Sequence, residues 1–219
     1  MSLEDRRDAA PARRVTADDV TDAVLSGSWV IDLRGRERYA AAHVPGSVNV
    51  EWSPDFATYV GWLVPWHDDI VLLSDSPGLL EPALRDLARM GIDGVATHVL
   101  SADPPPASYR RAEWSDYLAD HSADPLSGDL DRPRVLVDVR DAEEHEQAHL
   151  PGAFHVPLHE VERIGPTLPS GEIWVHCRSG RTAAIAASLF QRLGRSVVHI
   201  DDDWGRVAHL AVPHGSQAA

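Results

Sequence analysis

The chain has 219 residues, 43% of them hydrophobic and 25% charged, with a formal net charge of −14 and one cysteine. That length holds one large domain or two small ones, and the balance is that of a soluble globular protein. The acidic excess argues against nonspecific nucleic-acid binding, no apolar run approaches the roughly 18 residues of a membrane span, and a lone thiol rules out an intrachain disulfide and suits a reducing cytoplasm.

Residues 1–14 are polar and lack the apolar stretch of a secretory signal. A helix is predicted over 17–26, with Thr16 as N-cap and Asp18 and Asp19 in its first turn. The β-branched run 29–31 reads as a strand buried on both faces of a parallel sheet, and it ends at Asp32. A polar helix, a Pro45-Gly46 turn, a short strand over 47–50 and a second buried strand over 70–73 follow. A loop and a helix then lead to a last strand over 95–100, and a Pro-rich linker covers 102–108. The same series returns: a helix over 111–119, an acidic loop over 122–132, and a strand over 135–137 ending at Asp138. Next come a polar helix, a Pro151-Gly152 turn and strands over 153–156 and 173–176. A helix carrying Ala184, Ala187, Leu189, Phe190 and Leu193 at apolar spacing precedes a final strand over 196–200.

The return is a true repeat. Asp32-Leu33-Arg34 recurs as Asp138-Val139-Arg140, and His43-Val44-Pro45-Gly46 as His149-Leu150-Pro151-Gly152, both offset by 106 positions. Residues 70–91 lie over 173–194 without a gap, offset by 103. A period this long is a whole domain, not a solenoid unit. The predicted fold is α/β: two domains, 12–103 and 104–213, each a doubly wound, mainly parallel sheet of about five strands flanked by helices.

The chemistry concentrates in Cys177-Arg178-Ser179-Gly180-Arg181-Thr182, between a buried strand and a helix. Ligands of open α/β sheets bind at the carboxyl ends of the strands. A helix N-terminus offers unpaired N–H groups and partial positive charge, both of which favour a thiolate. Gly180 lets successive amides turn inward as an anion nest, and Arg178 and Arg181 add positive charge. The expected product is a nucleophilic thiolate beneath an anion receptor that works against the acidic field of the chain.

This loop resembles the active-site loop of the rhodanese family, and the Asp-Val-Arg and His-Leu-Pro-Gly-Ala blocks resemble its other signatures, once per half of the chain. The resemblance implies sulfur transfer. Cys177 attacks the outer sulfur of thiosulfate or a persulfide, holds it as a cysteine persulfide, and passes it to a thiol or cyanide. Arg181, Ser179, Gly180 and Thr182 then hold the anion with the loop amides, Arg178 steers it from the rim, and Asp138 and Arg140 support the loop. No cofactor or metal is implied. In the first copy Ser74, Asp75, Pro77 and Gly78 stand where Cys177, Arg178, Gly180 and Arg181 stand in the second, which implies a domain without sulfur chemistry. The segment 56–66 is similar to one in fusion proteins where a metallo-β-lactamase-fold persulfide dioxygenase domain precedes two rhodanese repeats. A preceding domain of that kind is therefore an expected partner. Asp201-Asp202-Asp203-Trp204 departs from the Gly-Gly turn that rhodaneses often carry before Trp.

Three other readings compete with this one. The loops of phosphatases and arsenate reductases of related fold close with arginine after five intervening residues, whereas here the arginine comes at Arg181, a tighter loop that favours sulfur. A regulatory module would accept sulfur on Cys177 without turning over. His145-Glu146-Gln147-Ala148-His149 matches the zinc pattern H-E-x-x-H, but Pro151-Gly152 ends the helix and His149 aligns with His43 of the other repeat, which places it in the turn.

Overall fold

The computed structural model describes residues 12–101, 106–122 and 133–213. Most of the expected linker (102–105) and of the acidic loop (123–132) lies outside them. The chain divides into two units between Ala107 and Ser108.

In the first unit the order is β1 (Arg13–Arg14), α1 (Ala17–Leu25), β2 (Trp29–Asp32), α2 (Arg36–Ala41), β3 (Val48–Asn49), α3 (Phe56–Leu63), β4 (Ile70–Ser74), α4 (Pro77–Arg89) and β5 (Ala96–Val99). Thr16 and Asp19 close α1 reciprocally: the Asp19 N–H donates to Thr16 Oγ1 at 3.2 Å and the Thr16 N–H to Asp19 Oδ2 at 2.8 Å. The sheet runs β1-β5-β4-β2-β3, every pair parallel. All residues of β2 and β4 are buried. Continuous apolar strands of this kind need cover on both faces, which the helices supply.

The second unit repeats the plan with β6 (Arg110–Ala112), α5 (Trp114–Ser122), β7 (Arg134–Asp138), α6 (Ala142–Gln147), β8 (Phe154–His155), α7 (Val161–Ile164), β9 (Glu172–His176), α8 (Arg181–Arg192) and β10 (Val197–Ile200). Its sheet order is β6-β10-β9-β7-β8, again wholly parallel. The expected pair of five-stranded parallel sheets flanked by helices is therefore present. Four elements differ from expectation, among them α3 and α7, since no helix was expected between the short strand and the second buried strand of either unit. Residues 111–112, expected to begin a helix, belong to edge strand β6 because Arg110 and Ala112 register with Val198 and Ile200 of β10. Strand β1, of two exposed residues, was not foreseen.

The two cores fill one place differently. In the second unit Trp114 and Tyr117 pack edge-on at 5.8 Å, with Leu150, Val207 and Trp204 around them. Counting from the equivalent strand pairs Arg13–Ala96 and Arg110–Val198, Ala17 stands where Trp114 does. There the first unit has an open cavity of about 440 Å³ lined by Ala17, Val20, Val24, Val44 and Leu100. Among the described residues no helix is long and apolar enough to cross a membrane.

Candidate active site

Strand β9 carries Cys177 to the carboxyl edge of its sheet, and α8 begins four residues later. Gly180 makes the turn with φ +80°. A Cβ there would lie 2.3 Å from Asp201 Oδ1 and 2.9 Å from Asp201 Cα, so both conformation and space demand glycine. The ring Nε2 of His199 is 2.7 Å from the Gly180 carbonyl, which pins the turn from below. The Ala183 N–H donates to Cys177 Sγ at 3.3 Å, and the backbone N–H groups of Ser179, Gly180 and Thr182 also favour negative charge on the sulfur. Four amides of the turn and the first turn of the helix, those of residues 179, 180, 182 and 183, thus act on one atom.

Cys177 is nevertheless only 4% exposed. Burial pushes the Cys177 thiol up from its ordinary value, while the four amides act in the opposite direction and only partly offset it. This differs from the lowered pKa expected of a cysteine at a helix N-terminus. One reason is that the flanking guanidiniums are engaged or exposed. Arg178 is turned to the surface, where its Nε meets Glu144 Oε1 of α6 at 2.5 Å. Arg181 is exposed and, among the described residues, makes no ion pair. Ser179 is exposed and Thr182 half-buried.

Behind the loop lies a buried polar frame. Asp138 Oδ1 accepts from the Arg140 N–H at 3.0 Å and from Arg140 Nε at 2.9 Å, and Oδ2 meets Arg140 Nη2 at 2.5 Å. Arg140 continues to the Ala148 carbonyl at the end of α6, 2.9 Å away. Burial alone would raise the Asp138 carboxyl, but these bonds outweigh it and hold it well below the usual carboxylate range. The Arg140 guanidinium lies 3.8 Å over the Trp204 ring, and the Trp204 N–H donates to the Arg178 carbonyl at 2.8 Å. The carboxylate therefore braces the Cys177 loop through two side chains, the last link being the Trp204 backbone N–H. His176 stacks on Trp204 at 5.4 Å and lies 4.0 Å from Asp138 Oδ2. Its complete burial brings its pKa down to about 4, so the imidazole is neutral at pH 7.

Sequence reasoning reached Asp138 and Arg140 as supports. It missed His176, His199 and Asp201, although His176 immediately precedes the cysteine and Asp201 heads the noted acidic turn. The H-E-x-x-H histidines serve the same frame. His145 Nδ1 lies 3.0 Å from Asp138 Oδ2, His149 Nδ1 lies 3.1 Å from the His145 carbonyl, and their rings stack at 4.3 Å. Among the described residues no group of three or more His, Cys, Asp or Glu side chains is arranged to hold a metal ion.

The corresponding loop of the first unit is built otherwise. Ser74 Oγ accepts the Ser76 N–H at 3.0 Å and donates to the Ser76 carbonyl at 3.0 Å, closing a local turn. Pro77 opens α4 and has no N–H at the place where Gly180 supplies one. Asp75 pairs with Arg38 at 2.5 Å. The frame is retained: Arg34 bonds Asp32 Oδ2 at 2.7 Å and the Ala42 carbonyl at 2.8 Å.

Two parallel sheets, each with an Asp-x-Arg clamp, and one cysteine cradle agree with what the family comparison finds. The chain belongs to the rhodanese-like family: the rhodanese-like domain matches it twice, over residues 16–99 and 122–208. Among curated proteins it is similar to the thiosulfate sulfurtransferase PspE of Escherichia coli, 32% identical over 80 residues, or 35% of this chain and 74% of that protein. It also resembles the putative sulfur carrier protein YrkF of Bacillus subtilis, 39% identical over 74 residues, or 33% of this chain and 40% of that one. A third relative is the HTH-type transcriptional regulator Rv0324 of Mycobacterium tuberculosis, 34% identical over 88 residues and matched over 38% of its length. The chain thus spans well under half of two of these three relatives. Among solved structures, a thiosulfate sulfurtransferase from Pseudomonas aeruginosa matches 94% of this chain and 44% of its own at 19% identity and a TM-score of 0.39.

Proposed function

We propose that the chain is a sulfurtransferase in which Cys177 carries a sulfane sulfur from thiosulfate or a persulfide to a thiol or cyanide. The observation that supports this most is the convergence of four backbone N–H groups on Cys177 Sγ. Such a nest stabilises negative charge on the sulfur it surrounds and, once loaded, on the outer sulfur of a persulfide. Because burial keeps the thiol protonated, its proton must leave as the bond forms. In attack on a persulfide, the donor S–S bond breaks, the Cys177 S–S bond forms, and the proton departs with the released thiol. Thiosulfate releases sulfite by the same exchange. Asp138 and Arg140 act as braces, and Arg181 is the loop guanidinium available to an incoming anion. A reducing compartment such as the cytoplasm suits a chemistry that needs a free thiol.

In this reading the first unit is catalytically inactive, because Ser74 has no adjacent base and Pro77 no amide to offer. A metallo-β-lactamase-like partner domain remains part of the proposal on the strength of segment 56–66 alone. Intact-protein mass spectrometry after exposure to thiosulfate or a persulfide tests the assignment. The expected result is a gain of one sulfur atom on the Cys177 peptide, absent in Cys177→Ser together with turnover. Turnover unchanged in Cys177→Ser rejects it. Loading without transfer to any thiol or to cyanide favours instead a sulfur-accepting regulatory module.

A further inference from the structure

The positive groups around Cys177 are fewer than the sequence suggests. Four arginines stand near the loop and the 201–203 turn beneath it. Three of them are already matched to carboxylates: Arg178 to Glu144 at 2.5 Å, Arg111 to Asp201 at 2.5 Å and Arg206 to Asp202 at 2.7 Å. Asp141 and Asp203 also act on Arg178, more weakly than Glu144 does. What remains for a substrate is the amide nest and Arg181.

The Arg178–Glu144 pair also has a counterpart where there is no thiol. At the equivalent positions of the first unit Arg38 of α2 pairs with Asp75 of the loop at 2.5 Å, with the two signs exchanged. A contact made in both loops, indifferent to which side carries the positive charge, tethers the loop to the second helix of its unit. It is not an anion anchor.

Thiosulfate carries two negative charges and a persulfide anion one. A cradle of amide dipoles and one unpaired guanidinium compensates a single charge; the second meets only guanidiniums already paired with carboxylates. Resting on the sulfurtransferase reading above, we infer that the donor is a persulfide bringing one negative charge to the site, and that Glu144, by holding Arg178, is the specificity-determining residue that disfavours thiosulfate. The step is a balanced exchange. The Cys177 thiol and the persulfide anion give the Cys177 persulfide anion and the free thiol, with one S–S bond broken, one formed and no external oxidant or reductant.

The test measures the rate of sulfur loading on Cys177 in the full chain at low ionic strength, with thiosulfate and with cysteamine persulfide, which is neutral overall. Wild type loads faster from the persulfide. Glu144→Gln frees Arg178 and raises loading from thiosulfate about two- to fivefold, the span expected for an exposed ion pair. Loading from cysteamine persulfide stays within about twofold, and the gain disappears in Glu144→Gln/Arg178→Gln. Matching thermal melts confirm that the surface variants fold. Faster wild-type loading from thiosulfate, an unmoved donor ratio in Glu144→Gln, or a gain that persists without Arg178 overturns the inference. Absence of sulfur on Cys177 from either donor strikes instead at the sulfurtransferase reading itself.

Discussion

The two units share a frame and differ in what the frame holds. Each has five parallel strands in the same order and an Asp-x-Arg clamp that ties the end of the second strand to the end of the following helix. In one unit the clamp stands behind a ring of amides around a thiol. In the other it stands behind a serine turn closed on itself. The frame is therefore common to both units, and the proposed sulfur chemistry belongs to the loop between β9 and α8, whose amides turn inward. The cavity beside α1 teaches the same lesson in the core, since the first unit keeps its sheet without the indole that fills this place in the second.

The largest effect that would break this comparison comes from the clamp. Removing one partner of a buried ion pair leaves an uncompensated charge and costs about 3–5 kcal/mol. Asp138→Asn in the second unit and Asp32→Asn in the first are expected to destabilise their own units by that amount. Hydrogen exchange of the β7 and β9 amides in one variant and the β2 and β4 amides in the other reads each loss. A clear loss in the second unit with none in the first would mean that the clamp serves catalysis and not the fold.

The next effect sharpens the contrast through pH. His176 has a folded pKa of about 4, below the ordinary 6.5, so the folded unit refuses a proton that the unfolded chain accepts. Its contribution is complete above pH 6.5 and is lost as pH falls from there toward 4, a cost on the order of 3 kcal/mol. Asp138, whose pKa is lowered, adds a further loss only at more acid pH. Leu73 occupies the place of His176 in the first unit, so protection of β9 falls across this window while protection of β4 holds. Parallel decline of both strands, or His176→Leu retaining the full decline of β9, would contradict the assignment.

Much of this was legible in the sequence for a physical reason. Buried parallel strands are continuous apolar runs, and duplication shows each element twice, so residues 70–73 and 173–176 were readable as strands and Cys177 as the residue leaving one. The edge strands β1 and β6 were not legible, because arginine-rich segments of two and three residues carry no alternation and pair only through β5 and β10. The thiol and its nest were likewise readable from the strand, glycine and helix. The behaviour of Arg178 was not, because its partner Glu144 is 34 positions away. The repeat alone contained a hint: at the equivalent positions Arg38 and Asp75 carry the same two charges in the opposite order. The raised thiol pKa was hidden for a related reason, since burial is a property of packing that one loop does not show.

The central claim is that the amide nest, and not a thiol at a strand end, makes the site. Moving the thiol between units tests it most directly, by comparing thiosulfate- and persulfide-dependent turnover of the wild-type chain with that of Ser74→Cys/Cys177→Ser. The double variant places its sulfur at the same point of an equivalent sheet, beside Pro77 and Asp75 and without the converging amides. The account predicts turnover no higher than that of Cys177→Ser alone. Turnover approaching wild type would contradict it.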